Sequence, residues 1–336
     1  MLTSIVTMLI AGFSFANSVE IIKGHRNLTE YYIGDTNLII SVPHNGLSSP
    51  DDIPDRKNGC KDNTGKCIWK HNCTTPSTSC KPTTVTDSHT RKLAMLLYES
   101  YKNETKRSPH MIISNLRRAK MDPNRNRQEG AYDNTEALRV YDDYHGFINQ
   151  AKNSINSFGL LLDIHGQSHA ELWIELGYLF SREMLNTNDT NPETSSIFSL
   201  SKRFKNVTFE NLLRGSESYG KLLDDLSYKT VPSPSYWSPG NGRYFRGGYI
   251  TQTYGSRNEG EIDAIQIESP RNLRFTPALR NKYGKDLGTI TAQFMDKYYK
   301  RQDSTDPTSG MNGLNNARNT ISLYLCLLIS VCLANF

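Results

Sequence analysis

Unbroken apolar runs alternate along this chain with stretches whose apolar positions recur at helical spacing. The first run, Asn37-Leu38-Ile39-Ile40-Ser41-Val42, stops at Pro43-His44-Asn45-Gly46, which predicts a strand with His44 at its carboxyl end. Residues 50–84 are rich in Asp, Pro, Lys, Thr and Cys and read as a surface excursion outside the core. A helix is expected next, capped by Asp87 or Ser88 and presenting Leu93, Ala94, Leu96 and Leu97 on one face. Met111-Ile112-Ile113-Ser114 predicts a second short strand. Ala137 to Ser157 predicts a helix with Tyr141, Tyr144, Ile148 and Ile155 turned inward. The most strand-like segment is Gly159-Leu160-Leu161-Leu162-Asp163-Ile164-His165-Gly166, whose lack of alternation marks a strand covered on both faces. A polar loop is expected over 186–197, another central strand at Ala264-Ile265-Gln266-Ile267-Glu268, and a closing helix from Pro277 to Tyr299. Strands taking turns with helices predict one α/β domain around a central mixed, largely parallel sheet.

Both ends of the chain stand apart from this pattern. Residues 1–16 carry no charged side chain, hold an apolar run from Ile5 to Phe15, and end in Ser14-Phe15-Ala16, the spacing of a signal-peptidase site. Residues 320–336 are almost wholly apolar yet shorter than the roughly 20 residues of a spanning helix. Upstream lie a polar spacer within 304–319 and the small pair Ser309-Gly310, an order that predicts a GPI-anchor signal with Ser309 as the attachment site. The folded domain is therefore expected over 17–303, with a cysteine-bearing excursion at 55–84.

Four cysteines, Cys60, Cys67, Cys73 and Cys80, crowd into that excursion. In an oxidising compartment such a cluster predicts two disulfides; of the three connectivities, local pairing of Cys60 with Cys67 and Cys73 with Cys80 is the expected one. Glycosylation sequons at Asn27, Asn72, Asn103, Asn188 and Asn206 agree with a route to the outer face of the plasma membrane. With 37% hydrophobic and 22% charged residues the chain can bury a core, and its net charge of +5 forms no basic block. No nucleic-acid partner is expected.

Two predicted strands end in histidine, at His44 and His165, and sites in α/β sheets form beyond the carboxyl ends of strands. Two histidines with one carboxylate make a catalytic metal site that keeps one position open. Asp87, at the head of a helix, is the carboxylate expected to complete it. Asp163 is expected on the opposite side of the sheet, as a structural acid or a support for His165. His89 is a reserve ligand or proton shuttle, while His71, His110 and His169 have no such placement. Glu268 also ends a strand and is suited to take a proton from water. The segment Arg117 to Arg125 is dense in cations of the kind that grip a carboxylate. Asn241 to Thr251, rich in glycine and aromatics, reads as a wall closing over the site or a tight turn into a strand.

In order, the chain offers Ser-Val-Pro-His44-Asn-Gly, Thr86-Asp87-Ser-His89, Arg118-x₃-Asp122-Pro-Asn124-Arg125, Asp142-Asp-Tyr-His145, Leu162-Asp163-Ile-His165-Gly, Asn241-Gly-Arg243 through Gly247-Gly248-Tyr249-Ile250-Thr251, and Ala264-Ile-Gln266-Ile-Glu268. This succession, over roughly residues 38–275, resembles the N-formylglutamate amidohydrolases, relatives of the zinc carboxypeptidases and aspartoacylase-type deacylases. The resemblance implies a carboxypeptidase-like α/β fold and Zn2+ held by His44, Asp87 and His165. It further implies Glu268 as general base, with Arg118, Asn124, Arg125 and Arg243 meeting the substrate's carboxylate. Asn45 and Gly166 depart from the family's pattern, as does the Ser-Pro-Arg-Asn-Leu-Arg that follows Glu268. The implied activity is zinc-dependent cleavage of an amide beside a free carboxylate, in an N-acyl amino acid or related substrate, by a lipid-anchored surface protein. The alternatives are a metallocarboxypeptidase acting on peptide C-termini and an inactive GPI-anchored binding protein.

Overall fold

The computed structural model describes residues 19–300; the leader at 1–16, the spacer at 304–319 with Ser309, and the tail at 320–336 lie outside the described residues. Eight strands form one sheet: β1 (Ile21–Lys23), β2 (Thr29–Tyr32), β3 (Leu38–Val42), β4 (His110–Ser114), β5 (Gly159–Gly166), β6 (Ile174–Gly177), β7 (Thr230–Val231) and β8 (Ile262–Ser269). Their order is β1-β2-β4-β3-β5-β8-β6-β7. The central four, β4, β3, β5 and β8, run parallel, while β2 and β6 pair antiparallel with β4 and β8. This is the mixed, largely parallel sheet that the sequence predicts. Strands β4 and β5 fall on either side of β3, so the strand order reverses there and a crevice opens beyond the carboxyl ends.

The sheet is covered on both faces. Alternate residues of a strand point to opposite sides. Leu38, Ile40, Leu160, Leu162, Ile265 and Ile267 accordingly pack with Leu93 and Leu97 of α1 (Thr90–Thr105) and Leu287 and Phe294 of a later helix, Pro277–Tyr298. Ile39, Leu161 and Ala264 pack on the other side with Tyr144 and Ile148 of α2 (Thr135–Ser154) and with Ile250 and Tyr254 of α3 (Tyr249–Tyr254). Each such aliphatic side chain removed from water stabilises the fold by roughly 1.5–3 kcal/mol.

On the α2 face this apolar floor turns polar toward the carboxyl ends, where Ile39 gives way to Ser41, Leu161 to Asp163 and His165, and Ala264 to Gln266 and Glu268. Residues two apart on a strand share a face, so Asp163 lies on the same side as His165 and not opposite it.

Other local expectations are revised. The residue capping α1 is neither Asp87 nor Ser88 but His89, at φ 71° and without a side-chain cap bond. The α2 helix starts at Thr135 because the Asn134 side chain accepts from the Ala137 N–H at 2.8 Å. The 186–197 segment is less open than its polarity suggests. It begins in a short helix, Arg182–Thr187, and ends buried, with the Ser196 hydroxyl donating to the Ala264 carbonyl at 2.6 Å.

The excursion also reaches the core, burying Ile53, Arg56 and Cys80. Its disulfides join Cys60 to Cys73 and Cys67 to Cys80, with Cα separations of 5.5 and 5.6 Å. Local pairing fails because Cys60 and Cys67 sit on a small antiparallel hairpin in which Cys60 faces Ile68 and Lys61 faces Cys67. That register puts the two cysteines on opposite faces of the ribbon. All five sequon asparagines are exposed.

His110, at the start of β4, is buried with its Nδ1 accepting from the Tyr31 hydroxyl (2.8 Å) and the Gly34 N–H (3.1 Å). Burial depresses it to about 4. The unfolded chain therefore binds the extra proton first. Stability is complete above the ordinary histidine pKa of about 6.5 and falls as pH drops toward 4, by about 3 kcal/mol for this group. In His110→Gln the thermal midpoint is expected to fall less steeply between those pH values than in wild type. Parallel curves would contradict this.

Candidate metal centre and its cavity

His44 directly follows β3, His165 is the penultimate residue of β5, and Asp87 precedes α1, its N–H bonded to the His44 carbonyl at 3.0 Å. These three side chains meet. Asp87 Oδ2 lies 3.2 Å from His44 Nδ1 and 3.1 Å from His165 Nδ1, and the two rings are 4.7 Å apart edge to face. One potential ligand atom from each residue falls within 4.8 Å of the others, and all three residues are buried.

The far nitrogen of each ring is held by another buried carboxylate. His44 Nε2 donates to Asp122 Oδ1 at 2.6 Å, and His165 Nε2 to Asp163 Oδ2 at 2.8 Å. Asp122 accepts as well from Arg118 Nε (2.9 Å) and the Asn124 N–H (2.9 Å), with Arg56 3.6 Å away. Asp163 accepts from Ser41, whose hydroxyl also meets that of Tyr144. With each Nε2 turned to an outer carboxylate, the two Nδ1 atoms face Asp87, the arrangement in which an outer carboxylate orients an imidazole that can ligate once Nδ1 is deprotonated.

This donor set fits a divalent cation. Two imidazoles and a carboxylate converge, and four buried carboxylates, Asp87, Asp122, Asp163 and Glu268, face three buried guanidiniums, Arg56, Arg118 and Arg274. His44, Asp87 and His165 together could hold a metal ion. Burial works against the ionised forms of Asp87 and Asp122, yet both stay well below the usual carboxylate range, Asp87 through His44 and His165, Asp122 chiefly through Arg118 and His44. Burial likewise disfavours charged His165, but Asp163 and Asp87 hold it well above an ordinary histidine. In this pocket a positive charge is favoured next to Asp87.

Glu268, near the end of β8, is directly across the ladder from His165 and projects into the same cavity. Burial pushes its carboxyl up to about 7, with His165 and Arg118 pulling against Asp87 and Asp163. The cavity holds about 710 Å³ and brings His44, Asp87, His165 and Glu268 together with Arg118, Asn124, Arg125 and Arg243.

Comparison with known proteins adds a likeness in shape. No protein-family model and no curated protein matches the chain. Among solved structures, it is similar to an N-formylglutamate amidohydrolase from Ralstonia eutropha JMP134, at 13% identity and a TM-score of 0.44 over 79% of this chain and 94% of that one. It is also similar to the gene product Atu2144 from Agrobacterium tumefaciens, at 10% identity and a TM-score of 0.46 over 83% and 97%. At these values no function passes from those proteins to this one.

The cationic residues differ in how they are held. Arg118 is buried, tied to Asp122 and to Asp87 (3.4 Å), and its Nη2 donates to no group among the described residues. Asn124 Oδ1 accepts from the Ile250 N–H at 2.9 Å, and its amide nitrogen lies 3.3 Å from His165 Nε2. Gly248 packs so closely on Asn124 that a Cβ there would come within 2.2 Å of its amide nitrogen. Arg125 bonds Glu129 and Thr83, whereas the exposed Arg243 makes no side-chain hydrogen bond among the described residues. The Gly-rich stretch after Arg243 walls the cavity and enters helix α3, not a strand. His89 stacks edge-on against Phe275 and takes no place among the converging donors.

Two site residues have no role assigned from the sequence. Asp122 sits in a segment whose arginines draw the eye. Buried Arg274 bonds the carbonyls of Ser88, Gln167 and Ser269, tying together three chain segments that frame the site. It also explains Gly166, where a Cβ would lie 2.3 Å from the guanidinium carbon. Only long-range packing reveals either role.

Proposed function

We propose that the chain is a metal-dependent amide hydrolase, with Zn2+ as the resident ion, acting on N-acyl amino acids or related substrates that carry a free carboxylate. The observation that supports it is the convergence of two imidazole Nδ1 atoms and Asp87 in a cavity that Glu268 also enters. Two nitrogens and one carboxylate are a donor set suited to zinc. A zinc ion held there supplies Lewis acidity toward a carbonyl oxygen and lowers the pKa of water in its field.

The protein's residues do the rest. Glu268 takes the proton of the attacking water, for which a carboxylate near neutrality is well matched. Asp122 and Asp163 keep the imidazoles oriented. Arg118, already anchored through Nε and Nη1, offers its remaining Nη2 hydrogens to a substrate carboxylate or to the developing oxyanion. Asn124, Arg125 and Arg243 line the path by which an anionic substrate enters.

The two disulfides and exposed sequons fit a protein matured in an oxidising compartment, and no described helix is long and apolar enough to cross a membrane. In this reading a C-terminal lipid anchor at Ser309 holds the enzyme at the outer cell surface.

Stripping the purified protein with a chelator is expected to abolish cleavage of N-acyl amino acids, and adding back zinc to restore it. Undiminished turnover in thoroughly stripped protein would overturn the proposal.

A further inference from the structure

Glu268 has a second titratable neighbour that the reading above leaves unused. Across the sheet, His165 of β5, Glu268 of β8 and Glu175 of β6 are directly paired in one row, with strands about 4.8 Å apart. Glu175 is fully buried, and three groups converge on it. His169 Nδ1 lies at 2.7 Å and Trp173 Nε1 at 3.2 Å from one oxygen, and the Phe245 N–H at 2.7 Å from the other. Burying a carboxylic group costs several kcal/mol when it is ionised, and its close titratable partner, His169, is a cation only when protonated. His169 stacks on Phe245 at 4.7 Å and lines the same cavity as the metal ligands, with no protein partner on Nε2 among the described residues.

We propose that His169 and Glu175 form a proton relay that delivers a proton from His169 Nε2 to the departing amine. This deepens the hydrolase reading and rests on it. Burial pushes the Glu175 carboxyl up to about 9, with Glu268 adding to it, so the group carries a proton at neutral pH. That proton is donated to His169 Nδ1, which leaves the ring's own hydrogen on Nε2, pointing to the cavity.

In the reaction, the water oxygen forms the new C–O bond as its proton goes to Glu268. The C–N bond breaks with its electron pair on nitrogen, which takes the Nε2 proton while the Glu175 proton moves to Nδ1. The pair is reset when the proton that Glu268 or the acid product releases returns to His169 Nε2 and the Nδ1 proton moves back to Glu175. One water is consumed, and one acid and one amine are formed. His169 is the catalytic residue of the pair and Glu175 the group that positions and reloads it.

An amide needs its leaving nitrogen protonated, whereas a phenolate departs without a proton, and the test uses this difference. Turnover of N-acetyl amino acids is measured beside that of para-acetoxybenzoate, an ester with a carboxylate-bearing phenolate leaving group, in His169→Gln and in Glu175→Gln. Gln at 175 keeps an acceptor for the Phe245 N–H, so that variant reports on the relay even where His169→Gln folds poorly. The ratio of amide to ester kcat is expected to fall about 100-fold in each variant. Equal losses on both substrates would overturn the relay. Wild-type turnover that disappears in Glu268→Gln, combined with an unaltered ratio in the relay variants, would overturn the relay alone. A wild-type protein that cleaves no amide when loaded with zinc would overturn the hydrolase reading as well.

Discussion

Replacing Glu268 with Gln is expected to lower kcat for an N-acyl amino acid roughly 10³-fold while leaving metal content at the wild-type level. The substitution preserves shape, and the side-chain oxygen that accepts from Gln266 Nε2 at 3.1 Å is kept. What is lost is a buried carboxylate, raised to about 7, that can hold a proton for part of the cycle and release it for the rest. Because Glu268 is not among the three converging ligands, metal retention separates a chemical role from a structural one. The loss should appear in kcat and not in KM, since the carboxylate acts on water and not on the bound substrate. Near-normal turnover in the variant would remove Glu268 from the mechanism.

The second large effect is expected at Asp122, a residue that touches no substrate. Asp122→Ala leaves His44 Nε2 without its acceptor and the buried Arg118 and Arg56 without their shared counter-charge. Removing one partner of a buried charged network is destabilising by about 3–5 kcal/mol, because the remaining charge stays out of water. The same change frees the His44 ring to rotate, and loss of such an outer carboxylate weakens metal binding about 10- to 100-fold. Denaturant unfolding of the metal-free protein reads the first effect and competition with a chelating dye the second. A variant as stable as wild type and equally tight for metal would show that Asp122 does not organise the centre.

Much of this site is legible in the chain itself. His44 and His165 follow β-branched or unbroken apolar runs, and such runs fold as covered strands whose carboxyl ends bound a crevice. Glu268 is placed by the same logic on β8. Asp87 has no such run before it, and its position at a helix start suggests capping. Its carboxylate instead turns away to the two imidazoles, leaving His89 as an uncapped helix start.

What could not be read depends on contacts distant in sequence. Asp122 meets His44 across a separation of 78 residues, and Arg274 meets Ser88 across 186, neither of which leaves a local pattern. The disulfide pairing depends on the register of a two-residue hairpin, which spacing alone does not determine. Glu175 lies within, and His169 shortly before, a short antiparallel strand that shows no apolar run long enough to predict.

The most direct test of the central claim is the metal content of the purified full chain by elemental analysis, beside His165→Ala. About one zinc per chain in wild type, lost in the variant, is the expected result, because His165 Nδ1 is one of the three donors that converge among the described residues. No bound metal in wild type after incubation with zinc, or equal zinc in both proteins, would contradict the assignment of His44, Asp87 and His165 as the metal centre.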